Sequence, residues 1–560
     1  MPLPQPGSEV AWPPTQLEVP HADMDVWRAW YSGDPNHLAA VYGGVAAYTR
    51  NGTAREYFEV DRRRVAGSEL RMFWGQDPSP GQTAAKLHVP IGADIAELSA
   101  NLLWADVPRV TVNADSTDRA ESTQAQIGRY LDDRGHAKMR EAAELTAGLS
   151  NVYLRAVWDT TLRPRPWTDV VQPENVVPTW RWGALAEAIV WRELAPVRDG
   201  GEVWRLLELH TPGWIEYGLY KGRIGLLGEL MDLSDHADTE YLVKRTNGQG
   251  RQATGIDRLL ITHVPNVLPN RVWDGIPDTA PLGRSDFSGI EPLMDALDET
   301  WTSWMRDLRL GKARVVVPQS MLDTDGPGSG GSFDLDRELL VALNLLGEET
   351  VKDSITEVQF KIRVEEHEQT AKALRRQILS SAGYSAQSAG EEGTVAVTAT
   401  EVTARKEESL TTRGTKILYQ RPALLEHLTV LMMVDVTHCG AKGVDPVAEL
   451  TASWPQAVQP DPEATARTLS LLDAAGAIST FMKVKWRSPE LTDAEVRAEV
   501  ARIRTDQRHT DSPAGDPYNT GGGQPAGGSL GEDVEESDGS EAGSDEGQDE
   551  PADERRLEAA

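Results

Sequence analysis

Four stretches carry residue types that could do chemistry. Cys439, the only cysteine, sits beside His438 at a predicted helix end. A thiolate nucleophile needs a placed base and a group to orient that base, and no nucleophile motif surrounds this pair. Glu365-Glu366-His367-Glu368 gathers possible ligands, but none of the 11 histidines forms an HExxH pair, so a zinc protease is not expected. Those carboxylates suit the first turn of a helix, where the dipole favours negative charge. DTDGPGSGGS (323–332) has the glycine content of a phosphate-cradling loop, yet no Gly-Lys-Ser/Thr follows and no dinucleotide fingerprint fits. Arg62-Arg63-Arg64 is a basic run of the kind that is usually solvated, with contact to DNA or a partner as the alternative. No catalytic, cofactor or metal site is therefore expected. The chain is not an ATP-driven motor, and a hydrolase is the enzymatic alternative.

Bulk properties narrow the classes further. With 560 residues, 39% hydrophobic and 26% charged, the chain can bury a large core. No apolar run approaches the roughly 20 residues of a membrane span. The nearest, Leu428 to Val434, stops at Asp435. A single cysteine excludes an internal disulfide, and the opening MPLPQPGSEV lacks the basic and apolar regions of a signal peptide, so a reducing cytoplasm is expected. Net charge is −31; from Asp511 onward 15 Asp or Glu face two Arg, a net of −13, which leaves −18 for the rest. Such a chain is ill suited to gripping nucleic acid by its phosphates, and well suited to something DNA slides past.

The elements that must position any site follow from periodicity. Residues 1–24 hold six prolines and are expected to be a disordered arm. Short helices are expected over Met24–Tyr31 and Pro35–Tyr48, then longer ones over Lys86–Trp104 and Ala120–Asn151, with a strand at Arg109–Asn113 between them. The period then switches to two over Val152–Asp159, Ala186–Val197, Val203–His210, Trp214–Lys221 and Arg258–Val264, whose tryptophans suit a core better than a sugar cleft. The central stretch is SDFSGIEPLMDALDETWTSWMRDLRLGKARVVVP (285–318). Ile290, Met294, Leu297, Trp301, Trp304 and Leu308 make one helical face, and Asp295, Asp298, Glu299, Arg306, Asp307 and Arg309 a polar one. Pro292 fits the first turn, Ser288 and Glu291 have capping-box spacing, and Gly311 is the expected stop. A helix at Leu335–Leu346 and an alternating strand at Thr356–Val364 complete a small α/β module. A second rod, Glu365–Ala382, ends at Gly383. The loop Tyr384–Gly393 shows nothing to anchor it. A helix of about forty residues, Thr398–Thr437, contains Pro422 and is expected to kink there. Helices at Asp461–Ala475 and Leu491–Ile503 end the folded part, and the Gly, Ser, Asp and Glu beyond Asp511 are expected to be disordered.

The order of rod, small module, rod, loop, long helix and helical end resembles the portal proteins of tailed bacteriophages. The fit is closest to the SPP1-like class and to portals of phages infecting actinobacteria. It is carried by 285–318, by VQFKIRVEEHEQTAKALRRQILSSAGYS (358–385) and by TATEVTARKEESLTTRGTKILYQRPALLEHL (398–428), more weakly by KLHVPIGADIAELSANLLWADVPRV (86–110). The resemblance implies a fold of class α+β: a mixed α+β wing (25–287), stem helices (288–311 and 365–383) and a small α/β clip (312–364). To these it adds a tunnel loop (384–397), a long kinked wing helix (398–440) and a helical crown (441–510), between the arm (1–24) and the acidic tail (511–560). It also implies a homo-oligomeric ring of about twelve copies at a capsid vertex, assembled in the host cytoplasm. Double-stranded DNA would pass through without sequence specificity. The implied partners are the large terminase subunit, a head–tail adaptor, and the major capsid and scaffolding proteins; no membrane is involved. Another virion component, an adaptor or capsid protein, is the structural alternative.

Within that resemblance the residues take roles. Leu297, Trp301, Trp304 and Leu308 are the stem-packing set. Ser388, Gly390, Glu391, Glu392, Gly393 and Thr394 form the tunnel loop, where Glu391 and Glu392 would discourage tight phosphate contact. Arg306, Arg309, Lys372, Arg375 and Arg376 either guide DNA weakly or form salt bridges between subunits. The acidic tail is expected to keep the ring soluble, with DNA mimicry as the alternative.

Overall fold

The computed structural model describes residues 3–43, 48–50, 53–55, 73–76, 86–114, 116–198, 202–246, 248, 250–276, 278–310, 314–316, 323–324, 331–332, 356–358, 363–390, 399–455, 462–488, 491 and 493–510. The chain is mixed α+β and divides into two compact units, Met1–Asp461 and Pro462–Ala560.

The first unit opens with strand β1 (Gly7–Ala11), not with the disordered arm the prolines suggest. β1 is followed by helices α1 (Glu18–Ser32) and α2 (Pro35–Gly43) and by the short strands β2 (Tyr48–Arg50) and β3 (Thr53–Arg55). The prolines flank these elements: Pro13 and Pro14 separate β1 from α1, and Pro20 lies in the first turn of α1, where a missing N–H costs little. Burial holds the segment in place. Trp12 is 3% exposed and meets the Trp191 ring edge-on at 5.9 Å, with Leu17 beside them.

Helix α3 (Ile91–Trp104), strand β4 (Arg109–Asn113), and helices α4 (Thr117–Tyr130) and α5 (Asp133–Leu149) follow. Where one helix was expected over 120–151, two form. The Asp132 carboxylate caps α5 by accepting the Arg134 and Gly135 N–H groups at 3.2 and 3.1 Å. A Cβ on Gly135 would lie 1.8 Å from the Tyr130 carbonyl oxygen, so the turn between the helices needs that glycine.

Strands β5 (Asn151–Val157), β6 (Trp167–Val171), β7 (Val176–Arg181), β8 (Ala184–Arg198), β9 (Glu202–Thr211), β10 (Trp214–Arg223) and β11 (Leu226–Met231) come next. Helix α6 (Glu240–Arg245) and strands β12 (Arg251–Ala253) and β13 (Ile261–Pro265) close this half. A seven-stranded sheet runs β1-β11-β10-β9-β8-β7, with β12 pairing β10; a second sheet runs β13-β5-β6. Period two sends Leu207 and Leu209 to the face that Trp12 and Trp191 cover, and Leu206 to the opposite face with Leu242 of α6.

Helix α7 (Glu291–Leu310) leads to short described pieces of the central module, β14 (Arg314–Val316), β15 (Asp323–Thr324), β16 (Gly331–Ser332) and β17 (Thr356–Val358). β14 pairs antiparallel with β17, Arg314 opposite Val358, and β15 pairs with β16. The helix expected at 335–346 and most of the 312–364 module lie outside the described residues. Helix α8 (Val364–Ser381) returns, and α9 (Ala399–Val434) runs through Pro422 into a π-helical turn at Asp435–Cys439. Strand β18 (Glu449–Ser453) then pairs antiparallel with β4, Thr451 opposite Thr111. The end piece expected at 441–510 therefore starts later: 441–453 belongs to the first unit because Leu450 and Ala452 join its core beside Val110. Helices α10 (Pro462–Ala474), α11 (Thr480–Arg487) and α12 (Asp493–Thr510) lie in the second unit, with Val484, Val496 and Val500 as its buried cluster.

Candidate functional site

The packing, loop and basic candidates lie on the α7–α8 hairpin and the chain that leaves it, His438 and Cys439 lie in the turn that ends α9, and Arg62, Arg63 and Arg64 lie outside the described residues. Helix α7 has two unlike halves. Its first two turns are embedded. The Glu291 carboxylate accepts the Gly289 N–H at 2.7 Å, one residue on from the expected Ser288 cap, and the Trp27 indole N–H at 2.9 Å. Asp295 accepts the Phe73 and Trp74 backbone N–H groups at 2.6 and 3.1 Å. Asp298, 0% exposed, takes the Trp74 indole N–H at 2.9 Å and the Val89 N–H at 2.8 Å, with His88 Nδ1 at 2.8 Å. Asp295 and Asp298 therefore leave the polar face assigned to them by period alone. A segment from elsewhere in the chain lies over that side and offers donors that only a carboxylate satisfies.

Burial dominates the electrostatics here. It pushes Glu291 up to about 7 and Asp295 to about 6, against the lowering by their N–H donors. Asp23 of α1, which accepts the Trp273 indole N–H at 2.7 Å, is likewise raised by burial to about 6. Three carboxylates near the root of one helix thus hold protons more tightly than ordinary ones.

The outer half of α7 is lightly covered. Leu297 is buried, Trp301 and Trp304 are half-buried with ring centroids 5.1 Å apart, and Leu308 is 39% exposed. Helix α8 meets this half. The His367 ring stacks on Trp304 at 6.0 Å, and Asp307 pairs with His367 at 3.0 Å and Arg363 at 3.1 Å. The hydrogen bond from His367, with help from Arg363, holds the Asp307 carboxyl below its usual range. Residues 365–368 thus begin a helix and tie it to α7. Along α8 only Ala371, Ile378 and Leu379 are buried, which leaves most of its circumference in solvent.

The five candidate basic residues are not gathered into one patch. Arg306 and Arg309 are exposed on outer α7, and Lys372 forms an i,i+4 pair with Glu368 at 2.5 Å. Arg375 is half-buried, and one guanidinium N–H reaches the Ala389 carbonyl at 3.4 Å; Arg376 is exposed. Since Asp307 meets Arg363 and His367, antiparallel register sets Arg376 roughly 20 Å along the hairpin axis from Arg309. Lys372 falls between, about 9 Å along the axis from Arg306, so the charges are spread along the hairpin.

The loop after α8 is anchored, contrary to its small-residue composition. Gly383 turns the chain at φ +85°, and its carbonyl accepts the Thr412 hydroxyl at 2.6 Å. The Ser385 N–H donates to Ser409 Oγ at 2.9 Å. Tyr384 is fully buried, and its hydroxyl donates to Asp286 Oδ2 at 2.8 Å. Ser388 is half-buried beside Ser385 and Gly390 is exposed, while Glu391, Glu392, Gly393 and Thr394 lie outside the described residues.

Asp286 is the centre that sequence reasoning missed. Besides Tyr384, it accepts from Lys416 of α9 at 2.5 Å and, through Oδ1, from the Asn266 amide at 2.7 Å. Lys416 is 2% exposed and also donates to Ser99 of α3 at 2.7 Å. Burial lowers the Lys416 pKa and Asp286 raises it in part. One carboxylate thereby joins the entry to α7, the exit from α8, the long helix α9, and α3. The sequence signal was slight: Tyr384 is a lone aromatic among small residues, and Lys416 lies four residues beyond Thr412.

Among the described residues no group of three His, Cys, Asp or Glu could hold a metal, and no helix is long and apolar enough to cross a membrane. No family model and no curated protein matches the chain. Solved structures similar to it include the neck of a native GTA particle computed with C12 symmetry, at 16% identity over 74% of this chain and 89% of that one, with a TM-score of 0.35. A second is the neck of an empty GTA particle computed with C6 symmetry, at 16% identity, 78% and 97% coverage and a TM-score of 0.36. A third is the virion of a native gene transfer agent particle, at 16% identity, 78% and 97% coverage and a TM-score of 0.32.

Proposed function

We propose that the chain is a virion structural protein of the portal type, in which copies form a ring around a channel for double-stranded DNA. One observation carries the reading: the α7–α8 hairpin is fixed at its root by buried hydrogen bonds and left half-covered beyond it. Trp301, Trp304, Leu308 and Val364 keep part of their apolar surface in water in a single chain. Side-by-side packing of hairpins covers that surface and leaves the charged sides for a bore. The residues between the hairpin's outer ends, 311–363, then form the end that meets the terminase motor and the head–tail adaptor. The loop from 391 faces DNA, and the spread of the basic residues over roughly 20 Å of the hairpin lets each touch the duplex weakly.

Negative-stain imaging and native mass spectrometry of the pure protein test this, with a closed ring and central hole expected. A monodisperse monomer at micromolar concentration would overturn it. Leu308→Asp, on the exposed part of α7, is expected to shift the ring toward smaller species without changing the circular-dichroism spectrum. Glu391→Ala with Glu392→Ala is expected to lower the amount of packaged genome; an unchanged amount would remove that loop from the mechanism.

A further inference from the structure

The second unit carries a surface that ring formation does not explain. Helix α11 is TFMKVKWR, with three cations and no carboxylate in eight residues. Its inner side sets Val484 against Val496 and Val500 of α12. Met482 and Trp486, four residues apart on another side, stand 50% and 49% exposed, and Lys483 and Arg487 form the adjacent row. Ser479 caps the helix through the Met482 N–H, Lys483 pairs with Asp473 at 2.5 Å, and Lys485 donates to the Leu491 carbonyl at 2.7 Å. The face is therefore fixed in shape, cationic and partly aromatic.

We propose that residues 532–550 of the same chain dock on this face of α11. Complementarity is the first argument. Residues 532–550 contain ten carboxylates and no Lys or Arg, and each carboxylate near Lys483 or Arg487 gains a charge-assisted contact. Reach is the second. Helix α12 continues ten residues past Val500 to Thr510, about 15 Å. The 21 residues from 511 to 531, seven of them glycine, have the composition of chains with a root-mean-square span of roughly 25 Å. The acidic stretch is thus held near α11 at an effective concentration on the order of millimolar, where individually weak ion pairs suffice. The docked tail screens Trp486 and occupies the cations against other polyanions, duplex DNA among them.

The test compares the full chain with one ending at Thr510. Acetylation rates of Lys483 and Lys485 are read by mass spectrometry at about 50 mM salt and at about 1 M, where screening acts within ~3 Å. Slower acetylation of Lys483 in the full chain, several-fold at low salt and lost at high salt, is expected. Zero-length carbodiimide cross-links from Lys483 or Lys485 to 532–550 are expected with it. A full-length variant with the ten carboxylates replaced by their amides should behave like the shortened chain. Equal rates in all three proteins, without such cross-links, would overturn the proposal. So would cross-links that appear only between isotopically heavy and light copies, or protection that comes from added duplex DNA equally with and without the tail.

Discussion

At the residue scale the decisive groups are buried acids and the donors that satisfy them. Asp286 and Lys416 are both nearly sealed from water, so removing either partner strands a charge. Lys416→Met is expected to cost about 3–5 kcal/mol, and Tyr384→Phe, which removes one hydrogen bond, about 1 kcal/mol; chemical denaturation of the two variants measures both. The acids at the root of α7 set a pH dependence. Asp23, Glu291 and Asp295 have folded-state pKa values raised by burial to between about 6 and 7, above those of the unfolded chain. The folded state therefore binds more protons than the unfolded one. The linked stabilisation is complete below about pH 4 and disappears as pH rises through 6 to 7. The half-buried Asp307, lowered by its hydrogen bond from His367, acts in the opposite sense, and so do His263 and His427, which burial lowers to about 3, and His210, also lowered by burial. The difference between proteins is therefore the readout: as pH falls from 8 to 5.5, the melting temperature of the wild-type chain is expected to gain on that of Glu291→Gln. A difference between the two proteins that stays constant over that interval would contradict the assignment of a raised Glu291. None of this was legible in the sequence, because a period of 3.6 shows which residues share a side and not what covers it. Asp295 and Asp298 look like solvent-facing acids until Phe73, Trp74, His88 and Val89 are laid over them.

At the element scale, α7, α8 and the strands from β8 to β10 were legible because single-face burial writes its period directly into the chain. Elements that depend on distant partners were not. β1 carries few apolar residues and forms because β11 offers an edge, and β18 joins β4 across more than three hundred residues. The split between α4 and α5 was signalled by Asp132 and Gly135, whose cap and close approach outweigh an otherwise continuous helical pattern. Two further substitutions report on the helices. Gly383→Ala places a Cβ 2.6 Å from Thr412 Oγ1 in a left-handed conformation, and a loss of about 1–2 kcal/mol is expected from the backbone alone. Pro422 is exposed inside α9 and leaves the Leu418 carbonyl without its helical donor. Pro422→Ala should raise thermal stability, by up to ~3 kcal/mol if α9 is otherwise unstrained. Ring formation by that variant, scored by imaging, shows whether assembly needs the proline.

At the scale of the whole molecule, the long-range pairings decide when the first unit can finish folding. β4 emerges early from the ribosome, but its neighbour β18 follows 340 residues later, judged by the Thr111–Thr451 pair. At translation rates of roughly 5–20 residues per second, β4 waits about 17 to 70 seconds for that neighbour. Throughout that interval its edge, with Val110 on its inward side, is open to any other nascent strand. Production of the protein should therefore depend on holdase chaperones and on slow translation at low temperature, and a chain truncated before Glu449 should be recovered mainly in inclusion bodies.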